Sequence, residues 1–486
     1  MKKHSSRRIL LSLVPVVVLM TLLGITVAVF GSDSMSGASQ VALLFSTAVC
    51  CIIARFCFGT SWKSIEDAIG HSIGSIASII LLLLLIGILS GTWTMSGIVP
   101  TMIYYGLKIF SPEYFLPATT VICAIVSLMT GSSWTTIATI GIALLAIGKA
   151  EGFSDGLICG AIISGAYFGD KMSPMSDTTV MASSLNGVPI FSHIRYLTHT
   201  TVPTVVITLV AFTLLSLVHT PSQAADVEVF STALTGKFQI TGWLLVVPLL
   251  TFVMIYRRYP AIVVIAVSAV IAAVACLLIQ RSVLLEIGTQ TGGDISTARG
   301  LFIGMTRTFY DSVSLDTGVP EVDALVSSRG MVGMLNTIYL IICAMFFGAS
   351  MRASGMIGHI SRALLPLTKG RVGLVGTTVL SGIGLNVIVA DQYLSIILNS
   401  NIFGDIYKER GYEGRLLSRS LEDSATVTSP LVPWNTCGMT QATILGVSTL
   451  TYLPFCFFNL LSPLVSILVA ALGWGISKRN TSTKNA

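Results

Sequence analysis

Long apolar runs recur from one end of the chain to the other, and they constrain its fold more than any other feature. A helix needs about 17–25 apolar residues to cross the hydrocarbon core of a bilayer. Runs close to this length lie at 9–30, 41–59, 73–90, 202–218, 244–256, 261–279 and 453–474. Only 10% of the 486 residues are charged, against about 25% in soluble domains. The sequence predicts an all-α polytopic integral membrane protein of about 10–12 spans.

Several classes of function lack their sequence signatures. The net charge of +6 is spread over loops, and no basic stretch alternates with aromatic residues, so we expect no nucleic-acid partner. The nine cysteines form no C-x-x-C pair or Cys/His cluster of the kind that indicates disulfides or zinc. Neither H-E-x-x-H nor a Walker A motif occurs. We therefore expect a transporter rather than an enzyme, with no cofactor and with the lipid bilayer as its surroundings.

Basic residues predict the orientation of the chain, because lysine and arginine are enriched in cytoplasmic loops. The basic segments are 2–8, 55–63, 257–258, 352–371, 408–419 and 478–479. The segments 31–40 and 221–230 contain no basic residue, and we interpret them as external. The first apolar run is longer than the 7–15 residues usual for the core of a signal peptide, so we interpret it as an uncleaved span. This pattern predicts a multi-pass protein with both termini in the cytoplasm.

The two halves of the chain resemble each other at an offset near 258 residues. LLIGILSGTWTMSGIVP at 84–100 resembles CAMFFGASMRASGMIGH at 343–359, and later segments align at the same offset. Basic-residue counting gives the paired spans opposite directions, which predicts inverted repeats, a transporter signature; chance similarity of apolar helices is the alternative. The predicted divisions are a first membrane repeat over 1–220, an external linker over 221–238, a second membrane repeat over 239–475 with an external insertion at 281–329, and a cytoplasmic tail over 476–486.

Each half contains a hydrophobic segment that is interrupted by helix breakers and charge. SGAYFGDKMSPMSDT at 164–178 and LEDSATVTSPLVPWNT at 421–436 each carry an acidic residue, a Ser-Pro and a polar residue followed by Thr. Upstream, TGSSWTT at 130–136 and VADQYLS at 389–395 each separate two short apolar stretches. Such a unit is either a re-entrant hairpin or a pair of short spans. Broken helices at corresponding positions of two halves indicate the binding site of a transporter.

Five acidic residues fall in segments that otherwise have the composition of membrane spans: Asp170, Asp177, Asp391, Glu422 and Asp423. Each charge costs about 2.5–3.5 kcal/mol at mid-depth, so each should be paired, hydrated or functional. Lys171 adjoins Asp170, and Arg415 and Arg419 precede Glu422, so some pairing is available within the sequence.

Oxygen-rich side chains around these carboxylates suit Na⁺, a hard cation. Burial favours the neutral acid, whereas a nearby cation favours the charged form, so one buried aspartate can hold either a proton or Na⁺. The candidate ion- or substrate-binding residues are Ser132, Ser133, Thr135, Asp170, Lys171, Ser173, Asp177, Thr178, Asp391, Glu422, Asp423, Asn435 and Thr436. The candidate Na⁺ ligands among them are Asp177, Thr178, Asn435 and Thr436.

Asp177 is the preferred titrating ligand, because it follows the Ser-Pro break and matches Asn435 in the other half. Its alternative role is to cap a restarted helix. Asp170 is either a second ligand or the salt-bridge partner of Lys171, and the sequence does not decide between them.

The remaining candidates also have simpler interpretations. Asp391 is either functional or an interfacial turn residue, and Glu422 and Asp423 lie either in the site or on a solvated cytoplasmic face. The hydroxyls at 132–136 either bind the ion or permit close helix packing. All six histidines fall at span edges or tails, so we expect none at depth. The insertion at 281–329 contains an amphipathic stretch near 300–310 and suggests no function.

The strings GSSWTTIATIGIAL, GAIISGAYFGDKMSPMSDTT and ADQYL resemble the NhaC family of bacterial Na⁺/H⁺ antiporters. The second string matches the family pattern over some twenty residues, and a weaker likeness covers 60–470. The resemblance implies a member of the ion-transporter superfamily, with inverted repeats and hairpins, in the bacterial cytoplasmic membrane. One departure is SDTTVMASSLNG, where Val180 replaces the amide expected from the family pattern, which bears on an ancillary polar contact and on substrate identity.

The resemblance implies exchange of cytoplasmic Na⁺ for external H⁺ by alternating access, with Na⁺ and H⁺ as transported substrates. Relatives in that family exchange malate with lactate, so Na⁺/H⁺-coupled exchange of a small organic anion or an amino acid is the alternative. Such a substrate needs a cationic anchor or open helix N-termini, and Lys171, Arg415 and Arg419 are the candidates. The sequence leaves open whether the protein forms a homodimer.

Overall fold

The computed structural model describes residues 2–30, 37–218, 227–257, 259–290 and 296–476, and these parts of the chain are helical apart from short connections. The first half contains α1 Lys2–Phe30, α2 Ala38–Cys57, α3 Trp62–Ser75, α4 Ala77–Met95, α5 Ile98–Ile109, α6 Pro112–Thr130, α7 Ser133–Thr136, α8 Ile142–Ala150, α9 Asp155–Met172, α10 Asp177–Leu185 and α11 Ile190–Val218. A π-helical turn, Ile137–Gly141, joins α7 to α8.

The second half contains α12 Val227–Lys237, α13 Val246–Tyr256, α14 Ala261–Ile279, α15 Arg281–Thr289, α16 Thr297–Tyr310, α17 Pro320–Leu325, α18 Val332–Ala353, α19 Met356–Leu364, α20 Gly370–Val389, α21 Gln392–Glu409, α22 Gly414–Leu421, α23 Thr436–Leu445, α24 Thr449–Tyr452 and α25 Phe457–Leu472. A second π-helical turn, Glu422–Thr426, follows α22. The 3₁₀ turns are Gly242–Leu245, Leu365–Leu367, Ser429–Leu431 and Leu453–Phe455.

The number of long apolar helices confirms the predicted fold class. Nine helices in the described ranges are long and apolar enough to cross a membrane. Two further pairs, bent by 88° and 54°, would bring the number to 11 if each pair were one span. The protein is therefore an all-α polytopic membrane protein.

The predicted orientation in the membrane stays a prediction. Several segments used to derive it lie outside the described residues, namely 31–36, 221–226, Arg258 and 477–486. Most of the predicted tail and part of the predicted linker are among them. The division into two membrane repeats also stays a prediction.

Two helix–turn–helix units have the same local geometry at positions 259 residues apart. In the first unit, α6 ends at Gly131, which adopts the left-handed conformation (φ 66°), and Ser132 caps α7. In the second unit, α20 ends at Ala390, also left-handed (φ 59°), and Asp391 caps α21. The turns between these helices, which we call the first tip and the second tip, are the two interruptions expected from sequence.

Each unit is followed by a helix interruption, which we call a break: the first break lies between α9 and α10, and the second lies between the second π-helical turn and α23. The two breaks also correspond at the 259-residue offset. Ser176 caps α10, and its side chain accepts from the backbone N–H of Thr179, whereas Asn435 caps α23 and accepts from Cys437. Asp177 therefore matches Thr436, and the predicted match with Asn435 was displaced by one residue. The offset near 258 was correspondingly one residue short in this part of the chain.

Close helix packing places α9 against the first tip. The G-x-x-x-G sequence formed by Gly165 and Gly169 faces α6, where a Cβ on Gly169 would lie 2.3 Å from the carbonyl oxygen of Ala124. Small residues at this spacing permit such an approach inside membranes. The Ser127 hydroxyl also donates to the Ala166 carbonyl at 2.5 Å. These contacts bring the next residue, Asp170, beside the first tip.

The two halves cross at their breaks. Helix α10 of the first half packs on α21 of the second half. Helix α23 of the second half packs on α8 and on the first π-helical turn. In addition, α25 packs along α9. The largest cluster of buried apolar side chains joins α4–α9 with α14–α16. Residues from both tips and both breaks are thereby collected in the interior.

The segment predicted as an external insertion is partly packed into the bundle. The expected amphipathic stretch is helical, within α16. It lies against α15, with Gly288 in close contact with Gly300, and against α4, where Gly91 meets the Thr308 carbonyl. This hairpin of α15 and α16 therefore covers one side of α4.

Candidate functional site

Asp170 is held by the first tip. It lies in the last turn of α9 and is 7% exposed. One carboxylate oxygen, Oδ2, accepts hydrogen bonds from the Ser133 backbone N–H at 3.0 Å and from the Ser133 hydroxyl at 2.7 Å. Ser132 keeps this helix start in place by accepting from the Thr135 N–H at 3.2 Å. The tip thus supplies two donors to one buried carboxylate, an arrangement that stabilises its charged form.

The equivalent contact in the second half has no charge. Gln392 and Ser429 lie 259 residues beyond Ser133 and Asp170, and the Ser429 hydroxyl donates to Gln392 Oε1 at 3.1 Å. Sequence reasoning missed both residues. The internal offset could have found them, because it maps one contact onto the other.

Asp391 is a buried helix cap at the turn between α20 and α21. It is 5% exposed, and its Oδ1 accepts from the Leu394 N–H at 2.9 Å. Its second oxygen accepts from the Thr436 hydroxyl at 3.3 Å, which ties the second tip to the second break. Arg352 of α18 interacts with Asp391 electrostatically.

Asp177 is exposed, contrary to the prediction of a buried carboxylate. It is the first residue of α10, and the cap of that helix is Ser176, so the alternative capping role is also wrong. The neighbouring Thr178 is buried, and its hydroxyl shares a 3.0 Å hydrogen bond with that of Ser176. A carboxylate in the first turn of a helix is favoured by the helix dipole.

The four candidate Na⁺ ligands are divided between the two breaks. The Asn435 side chain is occupied in capping α23 and in donating to the Asn386 carbonyl at 3.1 Å. The tyrosine at the second tip, Tyr393, interacts electrostatically with Asp170, Asp177 and Asp391. Sequence reasoning did not single out Tyr393.

Lys171 forms a buried ion pair with Asp423 and not with Asp170 as one alternative proposed. Both side chains are fully buried. The Thr200 hydroxyl donates to the same oxygen, Asp423 Oδ1, at 3.0 Å, and Lys171 also donates to the Ser462 hydroxyl at 3.1 Å. The pair joins α9 of the first half to the second π-helical turn of the other.

Arg419 is the second cation beside this ion pair. Its Nε lies 3.7 Å from Asp423 Oδ2, and its guanidinium lies 5.0 Å from the centre of the Tyr196 ring. Arg415, the other candidate cation, pairs with Glu413 instead.

Glu422 and Asp423 are both fully buried, so the alternative of a solvated cytoplasmic face is wrong. Within the described chain, neither carboxyl oxygen of Glu422 has a hydrogen-bond partner. Lys171 and Asp170 act on it electrostatically from α9. Glu422 begins a π-helical turn, a distortion often found at functional sites.

Two smaller expectations have mixed outcomes. Ser173 is buried but only accepts a local bond from the Met175 N–H at 3.2 Å, and Thr135 bonds within the first tip. His193 lies near the start of α11, at a span edge as expected, and its side chain is fully buried within the protein. Its Nδ1 lies 2.9 Å from the Ser418 hydroxyl.

Besides the His193 imidazole, five buried ionisable groups meet between the halves: Asp170, Lys171, Arg419, Glu422 and Asp423. With all five ionised, three carboxylates and two cations leave one negative charge uncompensated. One monovalent cation or one proton would neutralise the cluster, and both together would leave a positive charge in the interior, which is costly. In the described ranges, no group of three or more His, Cys, Asp or Glu residues suits a tightly held metal.

A polytopic helical bundle with broken helices and a buried charge cluster at their crossing defines a membrane transporter. The profile of the Na⁺/H⁺ antiporter family matches residues 165–474, and the chain belongs to this family.

Three relatives align with nearly the whole chain. The Na⁺/H⁺ antiporter NhaC of Alkalihalophilus pseudofirmus is 37% identical over 437 residues, covering 89% of this chain and 91% of its own. The malate-2H⁺/Na⁺-lactate antiporter of Bacillus subtilis is 34% identical over 446 residues, 91% of each chain. The Na⁺/H⁺ antiporter NhaC of Bacillus subtilis is 35% identical over 428 residues, 88% of this chain and 91% of its own.

Proposed function

We propose that the protein exchanges Na⁺ for H⁺ across the bacterial cytoplasmic membrane by alternating access. Two of its relatives are named as Na⁺/H⁺ antiporters, and they align over about nine-tenths of the chain. The observation that carries the proposal is the buried Asp170 carboxylate, held by two donors from the first tip at the crossing of the halves.

Asp170 is the carboxylate that binds Na⁺ in this proposal. Ser133 donates twice to Oδ2 of this carboxylate, and in the proposal the carboxylate supplies the negative charge that binds the cation. The broken helix that follows provides further hydroxyl and carbonyl oxygens, the ligands that a hard cation prefers. The charge cluster accommodates one Na⁺ or one proton, and this competition couples their opposite movements.

A polar cavity between the halves provides the approach from the cytoplasm. It has a volume of about 730 Å³ and lies between the end of α10, at Ser184–Gly187, and the facing parts of α21 and α22. It adjoins the basic loop that we assign to the cytoplasmic side. Asp177, exposed at the opposite end of α10, serves in the proposal as a further contact for cations that approach the site.

Na⁺/H⁺-coupled exchange of an organic anion is the second candidate function. One relative is named as a malate-2H⁺/Na⁺-lactate antiporter. Arg419 favours this alternative, since none of its guanidinium nitrogens makes a hydrogen bond in the described structure. Lys171 does not favour it, because that cation is already paired with Asp423.

Everted membrane vesicles test the proposal and separate the two candidates. With this protein as the only antiporter, respiration acidifies the lumen and quenches an amine dye. Dequenching by Na⁺ alone, absent with Asp170→Asn, is the expected result. A response that requires malate, lactate or an amino acid with Na⁺ would instead support the second candidate.

A further inference from the structure

Glu422 is a buried carboxyl group whose hydrogen-bonding capacity is unused. Its side chain has no solvent exposure, and neither oxygen has a hydrogen-bond partner in the described structure. The Thr426 hydroxyl, at the other end of the same π-helical turn, acts on the Glu422 carboxyl group but makes no hydrogen bond of normal geometry with it. The other two carboxylates of the cluster differ, since Asp170 accepts from Ser133 and Asp423 accepts from Lys171 and Thr200.

The groups around Glu422 come from several elements. From α9 it faces Lys171 and Asp170, and its chain neighbour is Asp423. Arg419 lies one turn earlier on α22, and Asp177 begins α10, which also packs on the π-helical turn.

The remaining elements around the turn supply uncharged groups. α20 contributes Asn386, which donates to the Ala425 carbonyl at 2.7 Å, and α25 contributes Asn459, which donates to the Val427 carbonyl at 2.7 Å. α21 contributes the Tyr407 hydroxyl, which is bonded to Thr378.

We propose that Glu422 carries the exchanged proton, on the half of the protein opposite to Asp170, which holds Na⁺. This inference rests on the proposed Na⁺/H⁺ exchange and deepens it. Burying a carboxylate that has no hydrogen-bond donor is costly, so in this proposal Glu422 holds a proton when Na⁺ is absent. Asp170 and Asp423 each accept hydrogen bonds from protein donors, whereas the oxygens of Glu422 accept none, and this contrast singles out Glu422 as the proton carrier.

Na⁺ binding then releases this proton by electrostatics. A cation at Asp170 favours the charged form of the nearby Glu422, whose O–H bond breaks to leave the carboxylate while the proton passes to water. When Na⁺ leaves, a proton returns to Glu422 and the cluster is again neutral. Na⁺ and H⁺ thus compete through charge while occupying different carboxyl groups, one in each half.

Na⁺ binding to the purified protein in detergent tests the assignment, with radioactive Na⁺ and a pH dye as readouts. For the wild type we expect release of about one proton per Na⁺, and an affinity that rises about tenfold per pH unit until the proton site is empty. Glu422→Gln imitates the protonated state. It should bind Na⁺ weakly, with an affinity independent of pH and without proton release. Glu422→Asp, which keeps the carboxyl group, should restore both.

The outcomes distinguish the inference from the proposed function. A Glu422→Gln protein that still releases one proton per Na⁺ would overturn the assignment while leaving Na⁺/H⁺ exchange intact. A wild type that binds Na⁺ without releasing protons would overturn the exchange itself. If Glu422→Gln does not fold, infrared difference spectra of the wild type and Glu422→Asp decide. The carboxyl band that responds to Na⁺ should have different frequencies in the two proteins. Equal frequencies would contradict the assignment.

Discussion

Ser133 donates both its backbone N–H and its hydroxyl to one oxygen of Asp170, at 3.0 Å and 2.7 Å. At the equivalent positions of the second half, Gln392 and Ser429 form a single neutral hydrogen bond. The carboxylate nearest to this bond in the sequence of the second half is Asp391, which directly precedes Gln392 and caps α21. The two halves share a backbone arrangement, but the charge is placed differently, and this difference makes Asp170 the better cation ligand.

Asp170→Asn should abolish Na⁺-driven exchange, because the amide carries no charge to attract Na⁺ and removes the one uncompensated negative charge of the cluster. The matched variant is Asp177→Asn, at an exposed position of the same break. It should raise the Na⁺ concentration needed for half-maximal exchange a few-fold and leave the maximal rate nearly unchanged.

Vesicle assays at several Na⁺ concentrations separate these effects, with the amount of inserted protein measured by immunoblot. The sequence alone favoured Asp177 as the essential carboxylate. Loss of exchange in Asp177→Asn together with normal exchange in Asp170→Asn would restore that view.

Lys171→Met should strongly destabilise the protein, because it leaves Asp423 buried without its partner. Breaking such a pair typically costs about 3–5 kcal/mol. Removing both charges in Lys171→Met/Asp423→Asn should recover most of the loss, since a neutral pair has no uncompensated charge. Thermal unfolding in detergent, followed by size-exclusion chromatography, measures this. A double variant less stable than either single variant would show that the ion pair is not the main interaction of these residues.

Gly131→Ala should lower both stability and exchange. Gly131 has φ 66°, and a Cβ there would lie 2.7 Å from the carbonyl carbon and oxygen of Met175. To relieve this clash the tip must move away from the break, which would separate Ser133 from Asp170. Ala390→Gly is the matched control at the equivalent position, where alanine already tolerates φ 59°. It should change the free energy of unfolding by no more than about 1 kcal/mol, because relief of strain is offset by added freedom in the unfolded chain. Equal effects of the two substitutions would argue against a tight first tip.

The sequence predicted the elements of this site better than their contacts. Apolar length and helix breakers located the spans, both tips and both breaks, since these features depend on local composition. The partner of Lys171 could not be predicted, because Asp423 lies 252 residues away and the adjacent Asp170 was the obvious choice. The sequence left the burial of Glu422 open, since the segment has the composition of a span but a basic loop precedes it. The match of Asp177 to Asn435 failed by one residue, because similarity between apolar helices does not fix the register as closely as the helix caps do.

The stability of the protein should fall as pH rises from about 4.5 to 7, in part because of Glu151, which follows α8. Burial, assisted by the nearby Glu113, raises the pKa of Glu151 from 4.5 to about 7. In this range the folded protein keeps a proton on Glu151 that the unfolded chain has lost, so stability decreases with pH and levels off above 7. The contribution is on the order of 1–3 kcal/mol. Glu151→Gln has no such titration, so its melting temperature should rise relative to that of the wild type as the pH increases across this window. Parallel pH profiles for the two proteins would show that Glu151 titrates normally in the folded state.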